Sequence, residues 1–220
     1  MPTVGYILTF LIAYLLGSIP TGFLVAKARG VDIRAVGSGN IGATNVFRIL
    51  GTPAGVFVLL ADAAKGWLAV FVVAKLVSGW CYPGAGPQAR EWFAICAGVG
   101  AILGHNYTCW LYFKGGKGIA TSAGVLVALV PSPLLIIFAI WIMVFALSRY
   151  VSLASISAAF ALPFAAWLVG ESTTIILVTA ALAALAIYKH RANIQRLIKG
   201  TENRFGAKKP LPADVPKPAA

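Results

Sequence analysis

Charge is scarce in this chain. Only 11% of its 220 residues are charged, against 60% hydrophobic, and the mean hydropathy is +0.87. A soluble domain of that length has too little interior to hide so much apolar side chain, so part of its solvent must be lipid. Carboxylates are scarcer still, six against 18 basic residues. Cysteine is rare too. Cys81, Cys96 and Cys109 are odd in number and show no C-x-x-C spacing, which excludes a disulfide framework and a zinc site and leaves them as small apolar fillers. A net charge of +12 would suit nucleic acid, but the basic residues lie in short links between apolar runs and in the tail, not in one stripe, so that partner is excluded.

What is present is a succession of apolar runs, at about 3–26, 53–79, 91–113, 118–131, 133–148, 151–169 and 172–189. The first lacks a basic leader and is longer than a signal-peptide core, so it reads as a mature span. Backbone groups in hydrocarbon must be satisfied within their own segment, and barrel-type alternation is absent, so the runs predict helices: an all-α, polytopic integral membrane protein. The uncharged stretch 118–147 is either one broken helix or two short ones hinged at Pro131-Ser-Pro133. Charge decides between them. Seven spans with the N-terminus outside put 15 of the 18 basic residues on the cytoplasmic side, whereas fusing the doubtful pair leaves 6 inside and 11 outside. The two short spans reach only ~20–24 Å against a hydrocarbon core of ~30 Å, which predicts that the Lys114–Gly118 loop lies below headgroup level. Residues 1–205 form a single transmembrane domain in this reading. Residues 206–220, rich in Pro, Lys and Ala, read as a disordered cytoplasmic tail.

Four polar links fall on the cytoplasmic side of that topology. The first, Gly37-Ser-Gly-Asn-Ile-Gly-Ala-Thr-Asn45 followed by Arg48, combines glycines, small polar side chains and a guanidinium, which suits wrapping an anion. The second, Gly104-His-Asn-Tyr107 with Phe113-Lys-Gly-Gly-Lys-Gly118, offers glycine amides, lysine and a helix N-terminus, the chemistry of a phosphate cradle. It lacks the spacing of a Walker loop and any acidic partner for Mg²⁺. The third, Arg149-Tyr-Val-Ser-Leu-Ala-Ser155, puts Ser152 and Ser155 on one helix face, as helix cap, as backbone-bonded serine or as ligand groups. The fourth runs Lys189-His190-Arg-Ala-Asn193-Ile-Gln-Arg196 to Glu202. Asp62 and Lys65, at i, i+3 within the second run, read as an ion-pair clamp between helices. An organophosphate transporter would use the same anion-binding groups, but no other polar cluster lies mid-span and no internal repeat is evident.

These segments resemble the bacterial acyl-phosphate:glycerol-3-phosphate acyltransferases, the PlsY family. The resemblance rests on Gly17-Ser-Ile-Pro-Thr-Gly22, Gly37 to Asn45, Asp62-Ala-Ala-Lys-Gly66, Gly104-His-Asn106 with Lys114-Gly-Gly-Lys-Gly118, and His190-Arg-Ala-Asn-Ile-Gln-Arg-Leu197 with Gly200-Thr-Glu202. It implies a seven-helix enzyme of the bacterial cytoplasmic membrane that moves an acyl group from acyl phosphate to the 1-hydroxyl of sn-glycerol 3-phosphate, giving lysophosphatidic acid and phosphate. Neither metal nor cofactor is implied. Ser38, Arg48 and Lys117, with His190 and Asn193, are implied as the glycerol phosphate site and its hydroxyl-orienting groups. Gly115, Gly116 and Gly118 are implied as the acyl-phosphate cradle, closed by Ser155 and Asn193; Asn45, His105, Asn106 and Glu202 complete the substrate-binding candidates. Catalysis is placed on His190, Asn193, Lys117 and Ser38, all expected to meet in one inner-leaflet pocket. The His-x4-Asp pair of many glycerophosphate acyltransferases is absent, since Trp110 and Gln195 stand at that spacing. Either His190 or the departing phosphate then takes the hydroxyl proton.

Overall fold

A computed structural model describes residues 2–206, and every regular element among them is a helix. Of the predicted tail only Gly206 belongs to the described residues; 207–220 lie outside them. Contacts divide the chain into two compact units that meet in sequence between Leu129 and Val130.

The first unit contains α1 (Pro2–Ser18), α2 (Thr21–Lys27), α3 (Ala43–Leu50), α4 (Thr52–Leu68), α5 (Ala74–Cys81), α6 (Pro87–Asn106) and α7 (Ile119–Leu129). Pro20 lies in the break between α1 and α2, and a wide π turn, Ala69–Val73, joins α4 to α5. The second unit contains α8 (Pro131–Ser148), α9 (Val151–Leu168), α10 (Thr173–Lys189) and α11 (Arg191–Ile198), with α9 packed on both α8 and α10.

All seven apolar runs carry helix, but only part of them has the length of a membrane crossing. Pro2–Lys27, Thr52–Cys81, α8 and α9 are long and apolar enough, and α10 with α11, bent by 57°, makes a fifth if taken as one span. α7 has 11 residues, about 16 Å at ~1.5 Å per residue. The break in the long uncharged stretch falls at Val130, just before Pro131. Proline suits the first turn of α8 because no partner is needed for its missing N–H, and it drives the preceding residue out of helical geometry.

The third run departs from its expected form. Helix does not continue to residue 113; α6 stops at Asn106, so His105 and Asn106 are its last turn rather than part of a link. The chain beyond is held by α1: the Tyr14 hydroxyl donates to the Tyr107 carbonyl at 2.6 Å, and Thr108 Oγ1 donates to the Ser18 carbonyl at 2.6 Å. A short 3₁₀ turn, Cys109–Leu111, then delivers Tyr112 and Phe113 with positive φ of 52° and 61°, and the backbone reverses into the glycine loop.

Helix pairs in the first unit meet backbone to backbone. A β-carbon on Gly17 or Gly104 would overlap a main-chain carbonyl across the α1/α6 contact, and one on Gly66 or Gly124 would do so across α4/α7. Hydrocarbon offers no hydrophobic drive for helix association, so close approach of small residues is what joins such pairs. Gly79, by contrast, has nothing within 4 Å of a β-carbon position. Gly124→Val is expected to cost about 1–3 kcal/mol or more and to lower the thermal midpoint in detergent, while Gly79→Ala leaves it level or raises it. Equal midpoints for the two variants would refute this packing.

Candidate active site

The candidate residues occur in both units. In the first, the segment between α2 and α3 is organised around one amide. Asn45 is 2% exposed on α3; its Oδ1 accepts the Ser38 N–H at 2.9 Å, and its Nδ2 donates to the carbonyls of Ile33 and Val36 at 3.2 and 3.1 Å. The turns this requires place Gly37 and Gly39 at φ of 63° and 68°, where a side chain is disfavoured. Arg48, one turn along α3, approaches the same Oδ1 at 3.5 Å. Asn45 thus holds the loop from inside, while Ser38 and Arg48 lie on its exposed side.

The second segment is seated on the end of α6. Gly116 N–H donates to the His105 carbonyl at 3.0 Å, and Gly115 N–H to the Asn106 carbonyl at 3.3 Å. A β-carbon on Gly115 would overlap the His105 carbonyl, on Gly116 the His105 Nε2, and on Gly118 the Asn106 side-chain amide. The sequence reading expected these glycines to turn their amides toward a phosphate. The amides of Gly115 and Gly116 are instead spent on α6, because a helix end leaves its last carbonyls needing donors. The positive groups of this segment are the half-buried Lys117, the exposed Lys114 and the N-terminal turn of α7, which starts immediately after Gly118.

Beneath this loop lies a buried ionisable group. Lys65 Nζ stands 2.8 Å from Asp62 Oδ1 and donates to the Ile19 carbonyl at 2.8 Å, and His105 Nδ1 lies 3.6 Å from the same Asp62 oxygen. The expected two-residue clamp is therefore larger: both charges sit on α4, Lys65 reaches the break between α1 and α2, and Asp62 faces the end of α6. Its i, i+3 spacing was visible in the sequence; the contact with His105, 43 residues on, was not.

In the second unit Glu202 gathers three donors. Its Oε1 accepts from Asn193 Nδ2 at 2.8 Å and Ser152 Oγ at 3.0 Å, and its Oε2 from Arg196 Nε at 2.7 Å. Burial would raise this carboxyl, but the hydrogen bonds from Asn193, Arg196 and Ser152 outweigh it and hold the group below its ordinary value of 4.5. Ser155 donates to the Val151 carbonyl at 2.8 Å and accepts from Trp141 Nε1 at 3.2 Å, so it is the backbone-bonded serine that its place on α9 allows. His190, 3% exposed, has Nδ1 2.8 Å from the Ala186 carbonyl. A carbonyl only accepts, so Nδ1 carries the proton and Nε2 is the basic nitrogen of the neutral ring. Ser152 and Arg196, outside the substrate-binding set of the sequence reading, belong to this cluster. Their helical spacing toward Ser155 and Asn193 was the available signal.

Comparison with known proteins decides the class. The family model for glycerol-3-phosphate acyltransferase matches residues 7–200. The chain belongs to that family. Glycerol-3-phosphate acyltransferases of Geotalea daltonii and Geobacter sulfurreducens are each 48% identical, over 88% and 89% of this chain and 94% and 95% of theirs. The crystal structure of PlsY (YgiH), an integral membrane glycerol 3-phosphate acyltransferase, in its glycerol 3-phosphate form superposes with a TM-score of 0.79 at 41% identity over 91% of this chain and 96% of that one. Its lysophosphatidic acid form gives 0.77 at 39%. This acyltransferase is accordingly a multi-pass membrane protein.

Glu202 also sets an acid limit on stability. Because its native carboxyl titrates below the unfolded value, its hydrogen bonds stabilise the fold above pH 4.5 and are lost as pH falls through the lowered native value. Thermal midpoints of the parent should therefore drop between about pH 5 and about pH 3, and those of Glu202→Gln should start lower and fall less. Parallel curves would exclude Glu202 as the acid-sensitive group.

Proposed function

We propose that the chain transfers a fatty acyl group from acyl phosphate to the 1-hydroxyl of sn-glycerol 3-phosphate, releasing lysophosphatidic acid and inorganic phosphate, as the first step of phospholipid biosynthesis. It does so as one domain over residues 1–205 of the bacterial cytoplasmic membrane, with seven spans, the N-terminus outside and its polar links in the cytoplasm. The distribution of basic residues supports that orientation. The observation that carries the reading is the Lys114–Gly118 loop. Pinned to the carbonyls of His105 and Asn106, it sets Lys117 beside the positive end of α7, a preformed place for phosphate in a family whose solved PlsY member has glycerol 3-phosphate and lysophosphatidic acid forms.

Ser38, Arg48 and Lys117 hold the acceptor's phosphate, with Asn45 fixing the loop that presents Ser38. Gly115, Gly116 and Gly118 shape the seat of the donor phosphate, and His105 and Asn106 support that seat. The acceptor's hydroxyl oxygen attacks the acyl carbonyl carbon; the bond from that carbon to the phosphate oxygen breaks, and the phosphate leaves with the electron pair. Lys117 and the dipole of α7 stabilise charge on the leaving group, the electrostatic contribution that is usually largest in acyl transfer. Asn193, held by Glu202, and His190 orient the hydroxyl, and the His190 Nε2 takes its proton. Positioning supplies much of the remaining acceleration.

Purified protein supplied with palmitoyl phosphate and radiolabelled glycerol 3-phosphate should form lysophosphatidic acid, and none with palmitoyl-CoA. Product from the thioester, or from neither donor, would overturn the reading. His190→Ala is expected to lower kcat by about 10²-fold or more in folded protein. A loss of less than tenfold would hand the proton to the departing phosphate.

A further inference from the structure

Asp62 and Lys65 have no part in the mechanism above, yet they are among the most deeply buried charges among the described residues, 1% and 4% exposed. A buried ion pair is weak evidence for stability, because desolvating two charges offsets most of their attraction and a pair of apolar residues would join the helices at least as well. A charged pair inside a membrane-embedded helix calls for a task that needs charge. The surroundings supply one. Lys65 is fixed at two points, Asp62 Oδ1 and the Ile19 carbonyl, both at 2.8 Å. That leaves Asp62 facing His105 Nδ1 at 3.6 Å, with the His105 side chain 5% exposed. This separation exceeds a direct hydrogen bond, but in so dry a setting the carboxylate still favours a proton on the facing nitrogen. His105 in turn touches Gly116 twice. Its carbonyl accepts the Gly116 N–H at 3.0 Å, and its Nε2 occupies the space a Gly116 β-carbon would need.

We propose that Asp62 and Lys65 are positioning residues: they hold His105 as an Nδ1-protonated ring at a fixed tilt, and His105 sets where Gly116, and with it Lys117, stands toward the donor phosphate. The inference rests on the functional reading of the Lys114–Gly118 loop. Its distinctive content is a direction of influence, from α4 through His105 to the loop, which a plain helix clamp does not have.

The chain has two histidines, so ¹⁵N-histidine labelling of the wild-type protein in micelles gives a spectrum that Glu, Asp or Lys cannot crowd, and His190→Gln identifies the signals of the other ring. His105 is expected in the Nδ1–H form, with Asp62→Asn shifting it toward the Nε2–H form. A wild-type Nε2–H ring would overturn the proposal, and this readout needs neither turnover nor a destabilised variant. In steady state, Asp62→Asn and the neutral double variant Asp62→Asn/Lys65→Met are both expected to lower kcat/KM for acyl phosphate by roughly tenfold or more. The double variant covers the case in which the single one fails to fold. Full activity in it would mean the pair is only a clamp and would overturn the proposal. Absence of lysophosphatidic acid from the wild-type protein would instead sink the acyltransferase reading and leave the tautomer measurement standing.

Discussion

The first unit depends on an absence of side chains where the Lys114–Gly118 loop meets the end of α6. Gly115 and Gly116 give their amides to the carbonyls of Asn106 and His105, which satisfies a helix end that would otherwise be bare in a dry environment. The same contact leaves no volume for a β-carbon at Gly115, Gly116 or Gly118. Glycine is needed there first for geometry, and the geometry then brings Lys117 to the start of α7. Loop conformation, helix capping and charge placement are thus one constraint. The strained backbone of Tyr112 and Phe113 is its local cost, the reversal that lets the loop return to α6.

The second unit is arranged about an anion instead. In a chain so poor in carboxylates, Glu202 is surrounded by Asn193, Ser152 and Arg196, which ties the segment after α11 to α9 and α11 together. Phe205 adds a second tie, through its N–H to the Arg149 carbonyl at 2.8 Å and its edge-on contact with Phe145. Asn193 is therefore presented with one amide hydrogen already committed, and His190 with its tautomer already chosen. Each side chain is thus held by a hydrogen bond to its own helix or to Glu202, the kind of fixed geometry that positioning catalysis requires.

Much of this was legible in the sequence. Apolar runs gave the helices, Pro131 gave the break before α8, and the glycine-lysine and His190–Asn193 segments gave the candidate chemistry. The points that escaped are those in which one residue serves another far along the chain. Asn45 looked like a ligand because amides bind anions, but its neighbours Ile33, Val36 and Ser38 use its donors and an acceptor to fold the loop. The run to Phe113 looked like continuous helix because periodicity registers apolar side chains, and hydrogen bonds from Tyr14 and Thr108 leave no trace in it. The glycine amides looked open because a sequence does not reveal which carbonyls end up nearby. His105 and Asp62 are separated by a whole helix, and only folding brings them within reach.

The wide π turn at Ala69–Val73 has a consequence for the register of the long helix that contains it. One extra residue is accommodated there without a loop, so everything after it is turned by about 100° relative to an unbroken α-helix. Ahead of the turn, that phase aims Asp62, Lys65 and Gly66 inward; beyond it, Ala74 and Val77 face α1 and α6. Losing a single residue between 69 and 73 would restore regular pitch and swing α5 off its seat while leaving the ion pair in place. The length of this five-residue stretch, more than its composition, keeps the two halves of one helix in step with different neighbours.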